Sequence, residues 1–224
     1  MIDPSRTSVP VIAIDGPGGS GKGTVSTAVA RYFGWHYLDS GAIYRVLGYL
    51  AHVKQVSEDD VSGLVALTHN LDIVFAEEGI FLDGQNAEGL IRTEEAADRA
   101  SRISPIPEVR RSLLQWQRNQ ARLPGLVSDG RDMGSVVFPD ALCKFFITAN
   151  SQKRAERRYK QLREKGFDVR IEQLLREIAE RDERDAMRKA SPLKPAEDAT
   201  VIDTTEMNVD DVISTVLEEI ERFL

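Results

Sequence analysis

The chain has 224 residues, 42% hydrophobic and 29% charged, with a formal net charge of −7; this composition suits a globular protein with one sizeable core and speaks against broad, non-specific nucleic-acid binding. A single cysteine, Cys143, excludes an intrachain disulfide, and no apolar run is long enough for a signal-peptide core or a bilayer span, so a cytoplasmic protein without a membrane partner is expected. The charge is uneven: residues 152–194 carry 14 Lys and Arg against 9 Asp and Glu, a local +5 against −12 over the rest, which suits a small anionic ligand better than a long polyanion.

In chain order, residues 11–15 (VIAID) form an apolar run ending in Asp-Gly and predict a buried strand. Residues 24–33 suit a helix, with Val25, Val29, Tyr32 and Phe33 at helical spacing. Residues 35–39 read as a second strand and residues 41–51 as a second helix. Ser57 followed by three acids predicts a third helix with an N-cap and a negative first turn. The character then changes. LDIVF, GIFLDG and GLIR, between Leu71 and Arg92, are short β-type runs separated by Glu-Gly and Asp-Gly pairs and predict a small antiparallel sheet inserted into a strand–helix alternation.

Helices are expected over residues 93–102 and 107–122, separated by Pro105 and Pro107. Pro124-Gly125 turns into a third core strand, residues 126–129; residues 143–148 and 200–203 give a fourth and a fifth. Basic helices over residues 152–165 and 171–189, then the loop SPLKPAEDA, lie between the last two strands, and an amphipathic helix follows Asn208. Alternating strands and helices imply an α/β layer fold with a mostly parallel sheet.

Residues 16–22 fit GxxxxGK between a strand and a helix, the context a phosphate loop requires. Gly16, Gly18, Gly19 and Gly21 let backbone N–H groups turn inward, the helix N-terminus adds a positive dipole end, and Lys22 supplies a mobile charge. Pro17 and Ser20 complete the loop. Gly23 stands where the usual pattern has a Mg²⁺-ligating hydroxyl; in the sequence the nearest one is Thr24. That weakens a GTPase-switch reading, in which direct metal ligation orders the loops.

Open α/β sheets bind ligands beyond the carboxyl ends of their strands. Asp39, Ser40 and Arg45 in LDSGAIYR, and Asp129, Arg131 and Asp132 in DGRDMG, therefore belong to the same cleft as the phosphate loop. Asp129 is placed to hold Mg²⁺ through water. Arg154, Arg157 and Arg158 share one helical face, as do Arg181, Arg184, Asp185 and Arg188. Converging guanidinium forks suit a transferring phosphoryl group, although Glu156, Glu177 and Asp182 also offer salt-bridge partners. His36, His52 and His69 have no metal-ligand spacing, and Trp35 and Trp116 read as packing residues.

GPGGSGKGT, LDSGAIYR, IRTEEAADRAS, GLVSDGRDMGSVVFPDA and ERDERDAMRKASPL together resemble the bacterial cytidylate kinases over nearly the whole chain. The resemblance implies a P-loop three-layer fold with a five-stranded parallel core sheet. The core would take about residues 1–40, 124–150 and 195–224, a β/helical monophosphate-binding region with the insertion about 41–123, and a short helical lid about 151–170. It implies transfer of the ATP γ-phosphoryl group to CMP or dCMP with Mg²⁺, by a monomer whose partners are small molecules and not nucleic acid.

Carried over by motif position, Gly16 to Thr24 would cradle ATP, with Lys22 bridging to the transferred group. Arg131, Arg188 and Arg45 would grip the acceptor phosphate, with Ser40 beside them. Ser101, Arg110 and Asp132 would read cytosine, Arg181 and Asp185 would lie near the ribose, and Arg154, Arg157 and Arg158 would fall in the lid that folds over ATP, with Arg157 acting in catalysis. The base assignment makes chemical sense, because a carboxylate accepts from the cytosine N4 amino group where the O4 of uracil would be repelled. Two competing readings remain: a P-loop kinase for another acceptor, and a nucleotide-dependent switch.

Overall fold

The computed structural model describes residues 9–76, 78–164, 166–188 and 191–223. The N-terminal stretch through Ser8, which bears on the signal-peptide reading, and the expected helix ends Lys165 and Lys189 lie outside the described residues.

Val11–Asp15 (β1), His36–Asp39 (β2), Leu126–Gly130 (β6), Cys143–Thr148 (β7) and Thr200–Asp203 (β8) form a five-stranded sheet in the order β2-β6-β1-β7-β8, with every pairing parallel. Successive side chains of a strand point to opposite faces, and the two faces here have separate cores. Val11, Ala13, Leu38 and Leu126 join one cluster with Ser40–Val53 (α2), Val61–Thr68 (α3), Glu94–Ile103 (α5) and Pro107–Arg118 (α6). Ile12, Ile14, Val127, Phe145 and Ile147 join the other with Lys22–Phe33 (α1) and Val209–Glu221 (α9). Covering both faces explains why these strands read as continuous apolar runs. Trp35 and Cys143 are buried in the second cluster, as expected of packing residues.

The insertion is a three-stranded antiparallel sheet of Ile73–Ala76 (β3), Gly79–Leu82 (β4) and Gln85–Asn86 (β5). Asp83 and Gly84 turn β4 into β5 with φ of 50° and 75°, the double positive φ of a tight hairpin turn. GLIR, expected as β-type, is instead the end of a short helix, Glu88–Ile91 (α4). The reason is the packing of Ile91 into the α2 cluster, which a one-turn helix permits and a fourth strand would not. Ile73, Ile80, Leu82 and Ala87 join that cluster too, so the inserted sheet shares the core of the main domain.

Two helix ends differ from expectation. Asp60, rather than Ser57, caps α3 by accepting from Gly63 N at 2.9 Å, because residues 57–59 form a turn of their own. α6 stops at Arg118, capped by Asn119, since the chain must already bend toward the Pro124 turn. Ser151–Glu164 (α7) and Ile171–Ala186 (α8) pack on each other through a small cluster around Ala155, Leu162 and Leu174. Met133–Val137, which begins on the last two residues of DGRDMG, is a π-helical turn.

Candidate active site

Three carboxylates end three neighbouring strands: Asp15 on β1, Asp129 on β6 and Asp39 on β2, with Asp39 directly opposite Asp129. The phosphate loop follows β1. At Gly16 a Cβ would lie 2.0 Å from Ile147 O, so the close approach of β7 admits only glycine. Gly21 takes φ 94° to cap α1, whose first turn carries no acid, leaving the dipole end unneutralised. Ser20 Oγ is buried without a hydrogen-bond partner among the described residues. Lys22 donates to Pro17 O at 3.4 Å. Its ammonium is held below the ordinary lysine range by burial and then by Arg131, against the pull of Asp129.

Asp15 is buried and accepts from Met133 N and Gly134 N, both at 2.8 Å, which fastens the DGRDMG loop to the first strand. Burial raises its carboxyl to about 6, although the two N–H donors oppose that rise. Asp39 caps α2 through Ala42 N at 2.9 Å and pairs with Arg92 at 2.9 Å. Asp129 accepts from Tyr37 Oη at 2.8 Å; burial and then Asp39 push its carboxyl up, while Lys22 pulls it down.

On the acceptor side, Asp185 is fully buried and accepts from Arg131 Nε at 2.8 Å and from Arg188. Burial alone would raise this carboxyl, but Arg131 and Arg188 outweigh it and hold it below the usual range. Arg131 and Arg181 bring their guanidinium groups over the phosphate loop, 3.6 Å and 3.5 Å from where a Gly18 Cβ would stand. Burial, and then Arg131, lowers Arg181, and the Nε atoms of Arg181 and Arg188 are buried and unpartnered among the described residues. Such crowded cations with spare donors suit an anion.

Arg110 pairs with Asp132, donates to Ser104 O at 3.1 Å and stands 5.9 Å over the ring of Tyr44. Arg188 reaches Ser104 Oγ at 2.9 Å, and Arg184 Nε reaches Ser101 Oγ at 3.3 Å. These contacts bring Ser101, Arg110, Asp132 and Arg188 into one neighbourhood. Arg45 donates to Ile91 O at 3.0 Å and, with Arg92, Arg158, Gln161 and Glu164, lines an open cleft of about 440 Å³. Ser40 is buried, with its Oγ close against Gly130.

The three arginines of α7 go to three places. Arg154, 5% exposed, donates to Gly18 O and pairs with Asp182. Arg157 donates to Ser20 O at 3.1 Å and Thr204 O at 2.7 Å, behind the phosphate loop. Arg158 pairs with Glu94. Four residues with a clear place here carry no role in the sequence reading: Asp15, Tyr37, Arg92 and Thr204. Arg92 stood in the quoted IRTEEAADRAS, but its partner Asp39 is far away in sequence. Among the described residues there is no group of three or more His, Cys, Asp or Glu side chains that could hold a metal ion.

A family model described as cytidylate kinase matches residues 12–222. The chain is 51% identical to a cytidylate kinase of Aeromonas salmonicida (strain A449) over 219 residues, which cover 96% of this chain and 95% of that protein. It is 51% identical to one from Klebsiella pneumoniae (strain 342), covering 94% and 95%, and 50% identical to one from Methylococcus capsulatus, covering 96% and 99%. A phosphate loop on a parallel sheet, faced by a cluster of half-buried arginines and matched over residues 12–222 in this way, places the chain in the cytidylate kinase family.

Proposed function

We infer that the chain transfers the γ-phosphoryl group of ATP to CMP and dCMP, giving ADP and the nucleoside diphosphates. The observation that carries this reading is the buried Arg131–Asp185–Arg188 cluster beside the phosphate loop, with the Arg110–Asp132 pair next to it. Phosphoryl transfer asks for alignment and positive charge more than for covalent chemistry. Residues 16–24 and Lys22 take the donor phosphates. Arg131, Arg188 and Arg45 hold the acceptor phosphate in line, and Arg181 stabilises charge on the group in flight.

Asp185 faces the ribose, and Arg181, one turn earlier on the same helix face, reaches from beside that sugar over Gly18 toward the transferring group. Asp132 accepts from the cytosine amino group, Arg110 donates to the ring acceptors, and Ser101 adds a hydroxyl. Arg157 acts by fixing the shape of the phosphate loop from behind. α7 and α8 exclude water by packing over the donor side.

Mg²⁺ fits the donor set: one acid, Asp129, beside a glycine that leaves room next to its carboxylate, with the remaining ligands supplied by phosphates and water. When bound, the ion neutralises the donor phosphates. We read the protein as a monomer acting in the cytoplasm on small nucleotides. No helix among the described residues is long and apolar enough to cross a membrane.

The test is a panel of acceptors with ATP and Mg²⁺, read by ADP release. CMP and dCMP are expected to exceed UMP, AMP and GMP by at least about 10²-fold in kcat/KM, because an unpaired, repelled carbonyl against Asp132 costs a few kcal/mol. Equal turnover of UMP and CMP would defeat the cytosine assignment, and acceptor-independent hydrolysis alone would defeat the kinase.

A further inference from the structure

The residue after the phosphate-loop lysine is Gly23, which carries no hydroxyl, and Thr24 is exposed on α1. The structure nevertheless brings a hydroxyl to that point from another strand. A Cβ at Gly23 would stand 3.3 Å from Asp129 Oδ2 and 3.8 Å from Tyr37 Oη, and the two oxygens are themselves hydrogen-bonded at 2.8 Å. The phenol reaches this place because β2 pairs with β6 in parallel, with Asp39 opposite Asp129 and Tyr37 two residues earlier on the same face of β2. Tyr37 also lines the open cleft that holds Gly23, Thr24, Asp39 and Arg92.

We propose that Tyr37 is a positioning residue for the nucleotide's metal: its hydroxyl, delivered from β2, replaces the one absent at position 23 and orients Asp129. The phenol donates to Oδ2 and so dedicates the other carboxylate oxygen to the hydrated ion. Gly23 is the complement of Tyr37. A side chain at position 23 would press on Asp129 Oδ2, so the chain holds its hydroxyl on the sheet and leaves the helix bare. Tyr37 touches neither nucleotide in this scheme and works through the carboxylate.

The proposal rests on Asp129 serving the metal side, and the experiment separates the two. ADP binding is measured by calorimetry without acceptor, with and without MgCl₂, for wild type, Tyr37→Phe, Asp129→Asn and Tyr37→Phe/Gly23→Ser. Wild type is expected to bind ADP more tightly with Mg²⁺. Tyr37→Phe should lose about five- to tenfold of that tightening, the scale of one charge-assisted hydrogen bond, with metal-free ADP and CMP affinities within twofold of wild type. A serine hydroxyl at position 23 should restore most of the loss, since Asp129 Oδ2, freed from the phenol, can turn the few tenths of an ångström that a Cβ at 3.3 Å requires and accept from the serine instead.

No Mg²⁺ tightening in wild type, or full tightening in Asp129→Asn, overturns the metal-side reading of Asp129 and the proposal with it. Loss in Asp129→Asn with none in Tyr37→Phe overturns the role of Tyr37 alone. Equal loss of metal-free ADP binding in Tyr37→Phe, or no recovery in the double variant, likewise rejects it.

Discussion

A carboxylate buried at the end of a central strand is costly unless it is used, and Asp15 is used twice. Its two oxygens hold Met133 N and Gly134 N, so the backbone that carries Arg131 and Asp132 is tied to the start of the phosphate loop. Asparagine in its place offers one acceptor and one competing N–H, leaving a loop donor unmet. Asp15→Asn is therefore expected to raise KM for CMP about tenfold and to narrow the preference for CMP over UMP, with a smaller change for ATP. An unchanged selectivity would show that the tie is not needed. The same residue makes a pH statement. Its folded carboxyl sits at about 6, above the 3.8 of the unstructured group, with Asp132 and Lys22 facing it. The folded state then binds more protons than the unfolded one between those values, so this contribution to stability is full below about 3.8 and lost as pH rises through 6. The difference in unfolding free energy between wild type and Asp15→Asn should shift against wild type over that window by up to about 1.4 kcal/mol per pH unit; denaturant titrations at pH 4 and pH 7 measure it. None of this is visible locally, because the partners of Asp15 lie 118 and 119 residues away.

At the scale of elements, what repeats within a few residues was legible and what depends on distant partners was not. The central strands β1, β6 and β7 were readable because each is covered on both faces, whereas the edge strands β2 and β8 are only partly covered. α5 and α6 were readable from Thr93 and Pro107 at their starts. GLIR was misread because Leu90 and Ile91 look β-like in isolation, while Ile91 is buried by α2. The shared face of Arg154, Arg157 and Arg158 was legible; their three destinations were not, since those lie on the phosphate loop, at the end of β8 and on α5. The consequence is that α7 is bolted to the donor loop by Arg154 and only pinned to the acceptor side by the exposed Arg158–Glu94 pair. Exposed pairs contribute about 0–1 kcal/mol, whereas a buried guanidinium with four acceptor oxygens contributes more. Arg154→Ala is expected to destabilise the fold by about 2 kcal/mol in thermal or denaturant unfolding and to raise KM for ATP. Arg154→Lys should recover little, since a single ammonium cannot span Ala149 O, Gly18 O and both oxygens of Asp182. Glu94→Gln should leave the melting temperature nearly unchanged.

Taken whole, the molecule is acidic, yet it gathers Arg131, Arg181 and Arg188 around one buried carboxylate, Asp185, with Lys22 adding its charge beside Arg131 and Arg181. The arrangement is under-neutralised by design of the function: a fold optimised for stability alone would not bury Arg181 among like charges with its Nε unpartnered. Two opposite changes should follow from removing that charge. Arg181→Met keeps most of the side-chain volume and relieves burial and repulsion, so the ligand-free variant should be more stable than wild type by about 0.5–2 kcal/mol. Its kcat/KM with CMP should fall at least about 10²-fold, because the removed donor faces the transferring phosphoryl group. Anions separate this account from ordinary repacking. Sulfate bound among the arginines stabilises the folded state by mass action, about 2.7 kcal/mol at a hundred times its dissociation constant. It also strengthens burial in every protein by exclusion from the surface, and that part is common to both chains. Thermal unfolding in sulfate should therefore raise wild type more than Arg181→Met, closing the gap seen without it. A variant that is no more stable than wild type in the absence of anions would mean that Asp185 already neutralises the cluster. Equal sulfate shifts in the two proteins would mean that Arg181 does not face the anion site.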